Sequence, residues 1–340
     1  MEGSKAQIST PHVRGKSRDL KKTVVVSLLG VLIVLNILLL AAGNYFYNIV
    51  ITYNKLPKYL VNTYEQAVAN GDFDVGRFNL LQKEYVNLES PHGYSLKGIY
   101  VKNALETPHT VIIVHGIGQD KWVSMKYADI FLDEGFNIFV FDNRNHGESG
   151  GERPSYGYYE KDDLQTCVAY IKSINPAGII GIHSESLGAV TAMLHAEIYN
   201  QNNTVAFYIE DCGYSDLRQL YIARAGDYGI PDFLRPILVD YMSLVCKIRS
   251  GFFLGQISPI QSIDNVETPI LFVHGEKDDF VPPQMAYDLF QAKSGHKALY
   301  IAAGAGHAKS ITVDEVKYRE AIGRFLDDVE DAIGSYDQRL

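Results

Sequence analysis

The sequence predicts an α/β fold in which helices cover both faces of one mostly parallel sheet. Short apolar runs alternate along the chain with stretches of helical periodicity, and polar motifs directly follow several of the runs. The run Thr110–Val114 is nearly all apolar, as buried parallel strands are. In such sheets ligands bind at the carboxyl ends of the strands, so the polar motifs are candidate site residues.

Eight strands and a large insertion are expected. The strands are expected at residues 85–88, 94–101, 110–114, 136–141, 177–182, 205–209, 269–273 and 297–301. Helices are expected at residues 122–134, 161–173, 189–199 and 311–333, the last as one helix or as two pieces. The segment from Tyr214 to about Ser262 is rich in aliphatic and aromatic residues and indicates a helical cap over the site. Its apolar underside would favour acyl or aromatic ester substrates, unless these side chains only pack the cap against the core.

The charge distribution separates a short basic start from an acidic body. The formal net charge is −9, yet residues 1–22 carry six Lys or Arg and only two acids. An acidic body argues against nucleic-acid binding, which usually needs a basic face. Cys167, Cys212 and Cys246 are widely spaced, so we expect buried thiols, no disulfide framework and no metal site.

An apolar stretch near the amino terminus predicts a membrane anchor. No charged residue occurs from Thr23 to Asn54, and Val24–Gly43 supplies about the 20 residues needed to span a bilayer. An aromatic belt follows, as expected at the far interface: Tyr45, Phe46, Tyr47 and Tyr53. The alternative is a cleavable secretory signal with Ala41–Gly43 as the cleavage site. The apolar region is longer than that of a usual signal, which favours a retained anchor.

These features divide the chain into four parts. We expect a cytoplasmic basic tail at residues 1–22, a transmembrane helix at 23–43, a juxtamembrane stalk at 44–80, and a folded domain at 81–335. The stalk would contain a short amphipathic helix near residues 59–69. The basic tail should stay in the cytoplasm, which places the folded domain outside the cell as a single-pass membrane protein. The low cysteine content suits a bacterial surface protein.

The stretch Gly181–Gly188 places a serine between a predicted strand and a predicted helix. A serine on such a turn is typical of the nucleophile elbow of α/β-hydrolases, where a strained turn presents the hydroxyl above the sheet. The usual pattern is G-x-S-x-G, and here Ser184 replaces the first glycine. Ser186 is favoured over Ser184 as the nucleophile because Gly188 follows Ser186 by two residues, whereas Ser184 is followed at that distance by a serine.

A serine nucleophile needs an adjacent base, and the base needs an orienting acid. The chain supplies both in the order Ser, acid, His. Asp278 follows an apolar strand, and His307 lies in a Gly/Ala-rich loop after the last predicted strand. Asp279 and Asp211 are rival acids, and the carboxylates near residue 278 could also be plain loop residues. We interpret four other histidines as structural: His115, His146, His183 and His274.

Acyl transfer also needs donors for the oxyanion of the tetrahedral intermediate. The expected donors are the backbone N–H of Leu187, directly after the nucleophile, and that of Ile117 in the loop after Val114. The His115-Gly116 pair in that loop is equally consistent with a tight exit from the strand. Both interpretations can hold together.

Taken together, these motifs resemble those of the α/β-hydrolase superfamily over about residues 80–335. The chain is most similar in pattern to bacterial serine hydrolases grouped with serine aminopeptidase-like and lysophospholipase-like proteins. The resemblance rests on His115-Gly116, Asp142-x-Arg144-x-His146-Gly147-x-Ser149, Ser186-x-Gly188, His274-Gly275-x-x-Asp278-x-x-Val281-Pro282 and Gly306-His307. It implies an eight-stranded α/β-hydrolase fold, a Ser186–His307–Asp278 triad and no cofactor. Asn145 and Ser184 depart from the family pattern, which commonly has glycine at both positions.

The sequence therefore leads us to expect a membrane-anchored, extracytoplasmic serine hydrolase that cleaves carboxylic esters through an acyl-enzyme. Its partners would be a small ester or acyl substrate and, through the amino-terminal helix, the membrane. A serine peptidase or amidase on the same triad is the first alternative. A non-catalytic binding protein that reuses the fold is the second.

Overall fold

The computed structural model describes residues 14–51 and 64–337. Most of the expected cytoplasmic tail lies outside these residues, as does the start of the helix expected near residues 59–69. Within the described residues, one sheet organises the molecule, and its strands come from segments spread over two thirds of the chain.

The sheet has eight strands in the order β1-β2-β4-β3-β5-β6-β7-β8. Strands β1 and β2 are antiparallel to their neighbours, and the six strands from β4 to β8 are mutually parallel. This confirms the expected mostly parallel sheet. The strands are β1 Lys83–Glu89, β2 Ser95–Val101, β3 Thr110–Val114, β4 Asn137–Phe141, β5 Ile180–Glu185, β6 Phe207–Asp211, β7 Ile270–Gly275 and β8 Lys297–Ala302.

Helices connect the strands and cover the sheet. They are α1 Arg14–Val50, α2 Tyr64–Asn70, α3 Val75–Leu80, α4 Lys121–Ser124, α5 Ala128–Asp133, α6 Glu160–Ile174, α7 Leu187–Tyr199, α8 Leu217–Arg224, α9 Arg235–Ser250, α10 Gln284–Ala292, α11 Ser310–Val313 and α12 Glu315–Asp337. A 3₁₀ turn at Met125–Tyr127 separates α4 from α5 within the helix expected at 122–134. The helix expected at 311–333 forms as two pieces, α11 and α12.

The central strands are mostly apolar because both of their faces are covered. One core lies between the sheet and α6, α7 and the cap, and the other lies between the sheet and α5 and α12. Along β3, Ile112 belongs to the first core and Ile113 to the second, and both are fully buried. Each such side chain contributes about 1.5–3 kcal/mol of hydrophobic free energy.

The connection between β6 and β7 forms a helical cap. It contains α8, α9 and 3₁₀ turns at Ala225–Tyr228, Leu254–Gln256, Pro259–Gln261 and Ile263–Asn265. Pro236 at the start of α9 and Gly251 after its end, where φ is 90°, bound the helix.

The amino-terminal helix is longer than the expected transmembrane segment at residues 23–43. It continues to Val50, and its carboxyl-terminal turns pack against α9 of the cap. Tyr47 shares a hydrogen bond of 2.6 Å with Ser250 across this contact. Arg249 donates to the side chains of Asn44 and Asn48 at 2.8 and 2.7 Å.

The described part of the expected stalk at residues 44–80 also belongs to the folded body. Tyr47 and Ile51 are fully buried in the core that lies beneath the cap. Phe73 and Phe78 are buried in the other core. These residues are therefore not a solvent-exposed connector, because their apolar side chains pack against residues far along the chain.

Two glycines of α1 provide a matched test of its contact with α9. A Cβ at Gly43 would meet the backbone carbon of Tyr241 at 2.7 Å, whereas a Cβ at Gly30 would meet nothing within 4 Å. We expect Gly30→Ala to leave unfolding unchanged or to raise the midpoint slightly, since alanine favours a helix by about 0.5–1 kcal/mol. Gly43→Ala should lower it by an amount equivalent to about 1–3 kcal/mol, because the two helices must separate.

The midpoint is measured by thermal unfolding of the full chain in detergent, followed by the fluorescence of its single tryptophan, Trp122. Equal midpoints for the two variants would show that the close approach of α1 to α9 does not contribute to stability.

Candidate active site

The serine turn between β5 and α7 has the strained backbone expected of a nucleophile elbow. Ser186 adopts φ 54° and ψ −112°, a conformation that costs a residue with a side chain about 1–3 kcal/mol. Two residues later, a Cβ at Gly188 would lie 2.3 Å from the carbonyl oxygen of Val114. Only glycine fits there, so the helix can start directly against β3 and hold the serine at the carboxyl edge of the sheet.

Ser186, His307 and Asp278 form one chain of hydrogen bonds. Ser186 Oγ lies 3.0 Å from His307 Nε2, and His307 Nδ1 lies 2.7 Å from Asp278 Oδ2. The other oxygen of Asp278 accepts the backbone N–H groups of Phe280 and Val281, both at 2.9 Å. The structure thus brings together the three residues that the sequence places far apart. The contacts hold the imidazole between a hydroxyl and a fixed carboxylate.

The carboxyl of Asp278 is held in its charged form. Burial alone would raise its pKa, but hydrogen bonds from His274 and His307 outweigh burial and hold the pKa well below its usual range. His274 Nε2 lies 3.3 Å from Asp278 Oδ2 and 2.9 Å from the carbonyl oxygen of Val281. His274, which we interpreted from the sequence as structural, therefore contacts the acid directly.

The rival residues lie elsewhere. Ser184 is fully buried and donates its hydroxyl to the carbonyl oxygen of Ile209 at 2.9 Å. The carboxylate of Asp211 accepts hydrogen bonds from Ser310 at 3.0 Å and Tyr318 at 3.1 Å. The side chain of Asp279 is exposed. Within the described residues, His307 has a hydrogen bond to Asp278 and to neither rival acid.

The loop after β3 leaves one backbone donor available beside the serine. The N–H of Gly116 donates to Gln119 Oε1 at 3.0 Å, and that of Gly118 donates to His146 Nε2 at 3.0 Å. Between them, the N–H of Ile117 has no acceptor within the described part of the chain. Ile117, Ser186 and Leu187 all line the same cavity.

A buried carboxylate that the sequence analysis did not select lies directly before the nucleophile. Glu185 accepts hydrogen bonds from Gln119 Nε2 at 2.7 Å, from the hydroxyl of Tyr127 and from Lys126 Nζ. Burial would raise its pKa, but the Lys126 ammonium and the hydrogen bonds lower it to about 2. Because Gln119 also holds Gly116, this charged pair fixes the loop that carries Ile117.

The glycine-rich turn after β4 supports the same loop from the other side. The N–H of Asn143 donates to His115 Nε2 at 2.9 Å. Burial lowers the pKa of His115 to about 3, so its ring is neutral and can accept this bond. Asn145 has φ 60°, a left-handed conformation that asparagine adopts more readily than most residues. This explains how Asn145 can replace the glycine that is common in the resembling family.

A mostly apolar cavity of about 290 Å³ opens beside Ser186. The cap supplies much of its wall, including Tyr221, Tyr228 and Leu238. The rest of the apolar cap residues are divided, since Phe252 is buried in the core and Phe233 is exposed on the surface. The wall also includes residues that the sequence analysis assigned to the anchor and stalk: Phe46, Ile49 and Val50 of α1.

One group of metal-ligand side chains coincides with this site. The ligand atoms of Cys212, Asp278 and His307 lie within 4.8 Å of one another. His307 and Asp278 are already joined by their own hydrogen bond, and burial raises the pKa of the Cys212 thiol well above its ordinary value. A neutral thiol is a poor metal ligand, so these side chains do not favour a cation.

Comparison with known proteins identifies the family. The family model described as Serine aminopeptidase, S33 matches residues 106–208. The Bacillus subtilis protein YqkD, described as uncharacterized, is 39% identical over 266 residues, which cover 77% of this chain and 85% of that protein. The chain therefore belongs to the α/β-hydrolase superfamily, in the group represented by the S33 serine aminopeptidase model.

Solved structures show the same fold. The Pyrococcus furiosus esterase Pf2001 superposes with a TM-score of 0.59 at 22% identity, covering 73% of this chain and 93% of that one. The Pyrococcus horikoshii acylaminoacyl peptidase superposes with a TM-score of 0.53 at 18% identity, covering 73% of this chain and 41% of that one. These identities are low, so both likenesses concern the fold.

A buried carboxyl behind the site gives a pH-dependent prediction. Burial raises the pKa of Glu210 from its ordinary 4.5 to about 8, and its Oε2 accepts the N–H of Gly213 at 2.9 Å. Between pH 4.5 and 8 the folded state keeps a proton that the unfolded state loses. Glu210 therefore makes the free energy of unfolding fall as pH rises, by up to about 1.4 kcal/mol per pH unit.

Glu210→Gln should remove this contribution while keeping an oxygen for Gly213. The variant should gain stability relative to the parent as pH rises through this window, measured as the difference between their thermal midpoints. Other buried carboxyls, such as Asp211, are common to both proteins and cancel in that difference. Parallel stability curves would show that Glu210 titrates at its ordinary pH.

Proposed function

We propose that this protein is a membrane-anchored carboxylic-ester hydrolase that works through an acyl-enzyme. The observation that carries the proposal is the hydrogen-bond chain from Ser186 through His307 to Asp278, opening beside an apolar cavity. Membership of the α/β-hydrolase superfamily supports the reaction class, and the contacts of this chain's own residues support the roles.

In the first half of the reaction, Ser186 Oγ attacks the ester carbonyl carbon and its proton passes to His307 Nε2. Asp278, charged at neutral pH, accepts the Nδ1–H and stabilises the imidazolium. The tetrahedral intermediate then expels the alcohol, which takes the proton from His307. In the second half, His307 takes a proton from the water molecule that attacks the acyl-serine. The second tetrahedral intermediate then releases the carboxylic acid as Ser186 Oγ leaves and regains the proton from His307.

The oxyanion of each intermediate would be held by the N–H groups of Leu187 and Ile117. Leu187 is the first residue of α7, where backbone N–H groups point away from the helix and the dipole favours negative charge. Ile117 is the residue of its loop whose two neighbours have committed their N–H groups. One such donor contributes about 2.7–4 kcal/mol to lowering the barrier.

The cavity favours an ester with an apolar acyl group. No aspartate or glutamate lines it within the described residues, so nothing there would bind the charged amino group of a peptide substrate. Its one cation, Arg224, already forms an ion pair of 3.0 Å with Asp227 and donates to the carbonyl oxygen of Asp279 at 2.8 Å.

A peptidase or amidase on the same machinery is the second candidate. The match to the S33 serine aminopeptidase model favours it. So does the position of Arg224 at the cavity wall, where a guanidinium released from Asp227 could meet a peptide carboxylate. Ester and amide substrates with the same acyl group separate the two candidates.

The helix α1 would retain the protein in the cell membrane with its basic start in the cytoplasm and the catalytic body outside. Residues 20–50 are helical, and an 18-residue window within them has a mean hydropathy of 3.0. The helix runs without a break through Ala41–Gly43, where a signal would be cleaved, and its following turns pack on the cap. Cleavage there would divide a docked helix, which favours retention.

Two variants that should inactivate the protein and one matched control test the serine assignment. Ser186→Ala and His307→Ala should lower the turnover of p-nitrophenyl butyrate by about 10⁴–10⁶-fold and abolish labelling by a fluorophosphonate. Ser184→Ala should keep both, because its hydroxyl is directed to Ile209 rather than to His307. Labelling of folded Ser186→Ala at another serine would contradict the assignment. A parent protein that is folded but neither labels nor turns over would favour a non-catalytic binding protein.

A further inference from the structure

Helix α1 contributes directly to the substrate cavity. Phe46, Ile49 and Val50 form part of its wall, and Ser186 lies on the same cavity. Phe46 packs edge-to-face on Tyr228 of the cap, with ring centroids 5.4 Å apart. The hydroxyl of Tyr156, another residue of the wall, donates to the carbonyl oxygen of Val50. The helix that would span the membrane thus ends as part of the binding site.

The contact between α1 and α9 fixes the direction of both helices. Gly43 lies against the backbone of Tyr241, and further along both helices Asn48 accepts from Arg249. The two helices therefore run in the same direction along their contact. The start of α9 lies level with the apolar part of α1. Its end lies level with Asn44 and Asn48 of α1.

The exposed surface of α9 carries apolar side chains along its length, including Ile237, Leu244 and Ile248. Around the start of α9, Phe233 has 75% of its surface exposed, and Leu234 and Ile237 are also exposed. At the end of α9, Ile248 has 73% of its surface exposed, and the neighbouring Arg249 donates to the polar Asn44 of α1. Exposed apolar side chains along α9 alternate with charged ones such as Asp240 and Arg249, which is typical of a helix at the boundary between the hydrocarbon of a bilayer and its headgroups.

We propose that the start of α9 lies in the membrane beside α1, and that an acyl chain passes from the bilayer into the cavity walled by Phe46, Ile49 and Val50. The substrate class is then a membrane-resident acyl ester. This inference rests on the proposed ester hydrolysis for its substrate, but the seating of the cap is a separate physical statement. The occupant is lipid because α9 packs along α1, whose exposed side chains from Val24 to Leu40 are mostly apolar and would face the bilayer if α1 spans it.

Fluorescence quenching tests the seating without reference to activity. The three native cysteines are buried, so Phe233→Cys gives the full chain one accessible thiol for an environment-sensitive fluorophore. Leu105→Cys is the matched control. Leu105 is 68% exposed in the loop that precedes β3, at the amino ends of the parallel strands, whereas the cap lies at their carboxyl ends. Both proteins are reconstituted into phosphatidylcholine vesicles that contain lipids with a nitroxide in the acyl chain.

The label at residue 233 should be quenched at least about threefold more strongly by the lipid nitroxide than the label at residue 105, and less by aqueous iodide. Equal quenching of the two labels by the lipid would overturn the proposal. Protection of residue 233 from iodide without quenching by lipid would also overturn it, since the face would then be covered by protein. Fluorophosphonate labelling of Ser186 on the same vesicles reports separately on the proposed reaction.

A second pair of variants tests the wall formed by α1. Phe46→Ala should enlarge the cavity and change the ratio of kcat/KM for p-nitrophenyl octanoate over butyrate by about tenfold. Ile37→Ala, on the exposed surface of α1, should leave this ratio unchanged. An unchanged ratio in Phe46→Ala would show that α1 does not shape the acyl site, even where turnover itself is intact.

Discussion

The close approach of α7 to β3 at Gly188 is the constraint on which the site depends. A Cβ at this position would lie 2.3 Å from the carbonyl oxygen of Val114, so only glycine permits the approach. The approach lets the helix begin immediately after β5, and this tight turn holds Ser186 at positive φ. The strained turn is held in place because β5, which leads into it, is fully buried and pairs with β3 on one side and β6 on the other. Asp278 and His307 then need only follow β7 and β8 on the same edge of the sheet to reach the serine.

Buried charge holds the parts of the site that the sheet does not reach. Glu185 and its ion-pair partner Lys126 are both largely out of solvent, with Gln119 extending the pair to the loop of Ile117. Asp142 and Lys121 form a second buried pair, at 2.8 Å, in the turn that supports this loop through Asn143. Removing one member of such a pair typically costs about 3–5 kcal/mol. Much of this cost comes from the charge left buried and unpaired, since burying both charges offsets most of their mutual attraction. The main effect of these pairs is therefore to fix the geometry of the loops.

Local patterns were sufficient to predict the sheet and the hydrogen-bonded group of Ser186, His307 and Asp278. Each central strand is a largely apolar run with a polar stop, and the order Ser, acid, His is visible along the chain. Glu185 was missed because its position in the elbow pattern accepts any residue, and its partners Lys126 and Tyr127 lie on a different element. The burial of residues within the expected stalk was missed for a similar reason. Tyr47 reads as an interfacial aromatic until its partner, Ser250, is seen about 200 residues away.

The contact between α1 and α9 also connects helix α1 to the candidate active site. A body attached to its membrane helix only by a flexible segment could rotate, and its cavity would face the bilayer for a fraction of the time. Here Gly43, Tyr47 and Asn48 are fixed against α9, while Val50 of the same helix reaches the wall of the cavity. The orientation of the cavity relative to α1 is therefore set by side-chain packing. If α1 spans the bilayer, the depth and direction of the opening to Ser186 follow from that packing, and the ordering entropy of presenting the site to lipid is lost once, on folding, rather than at each encounter.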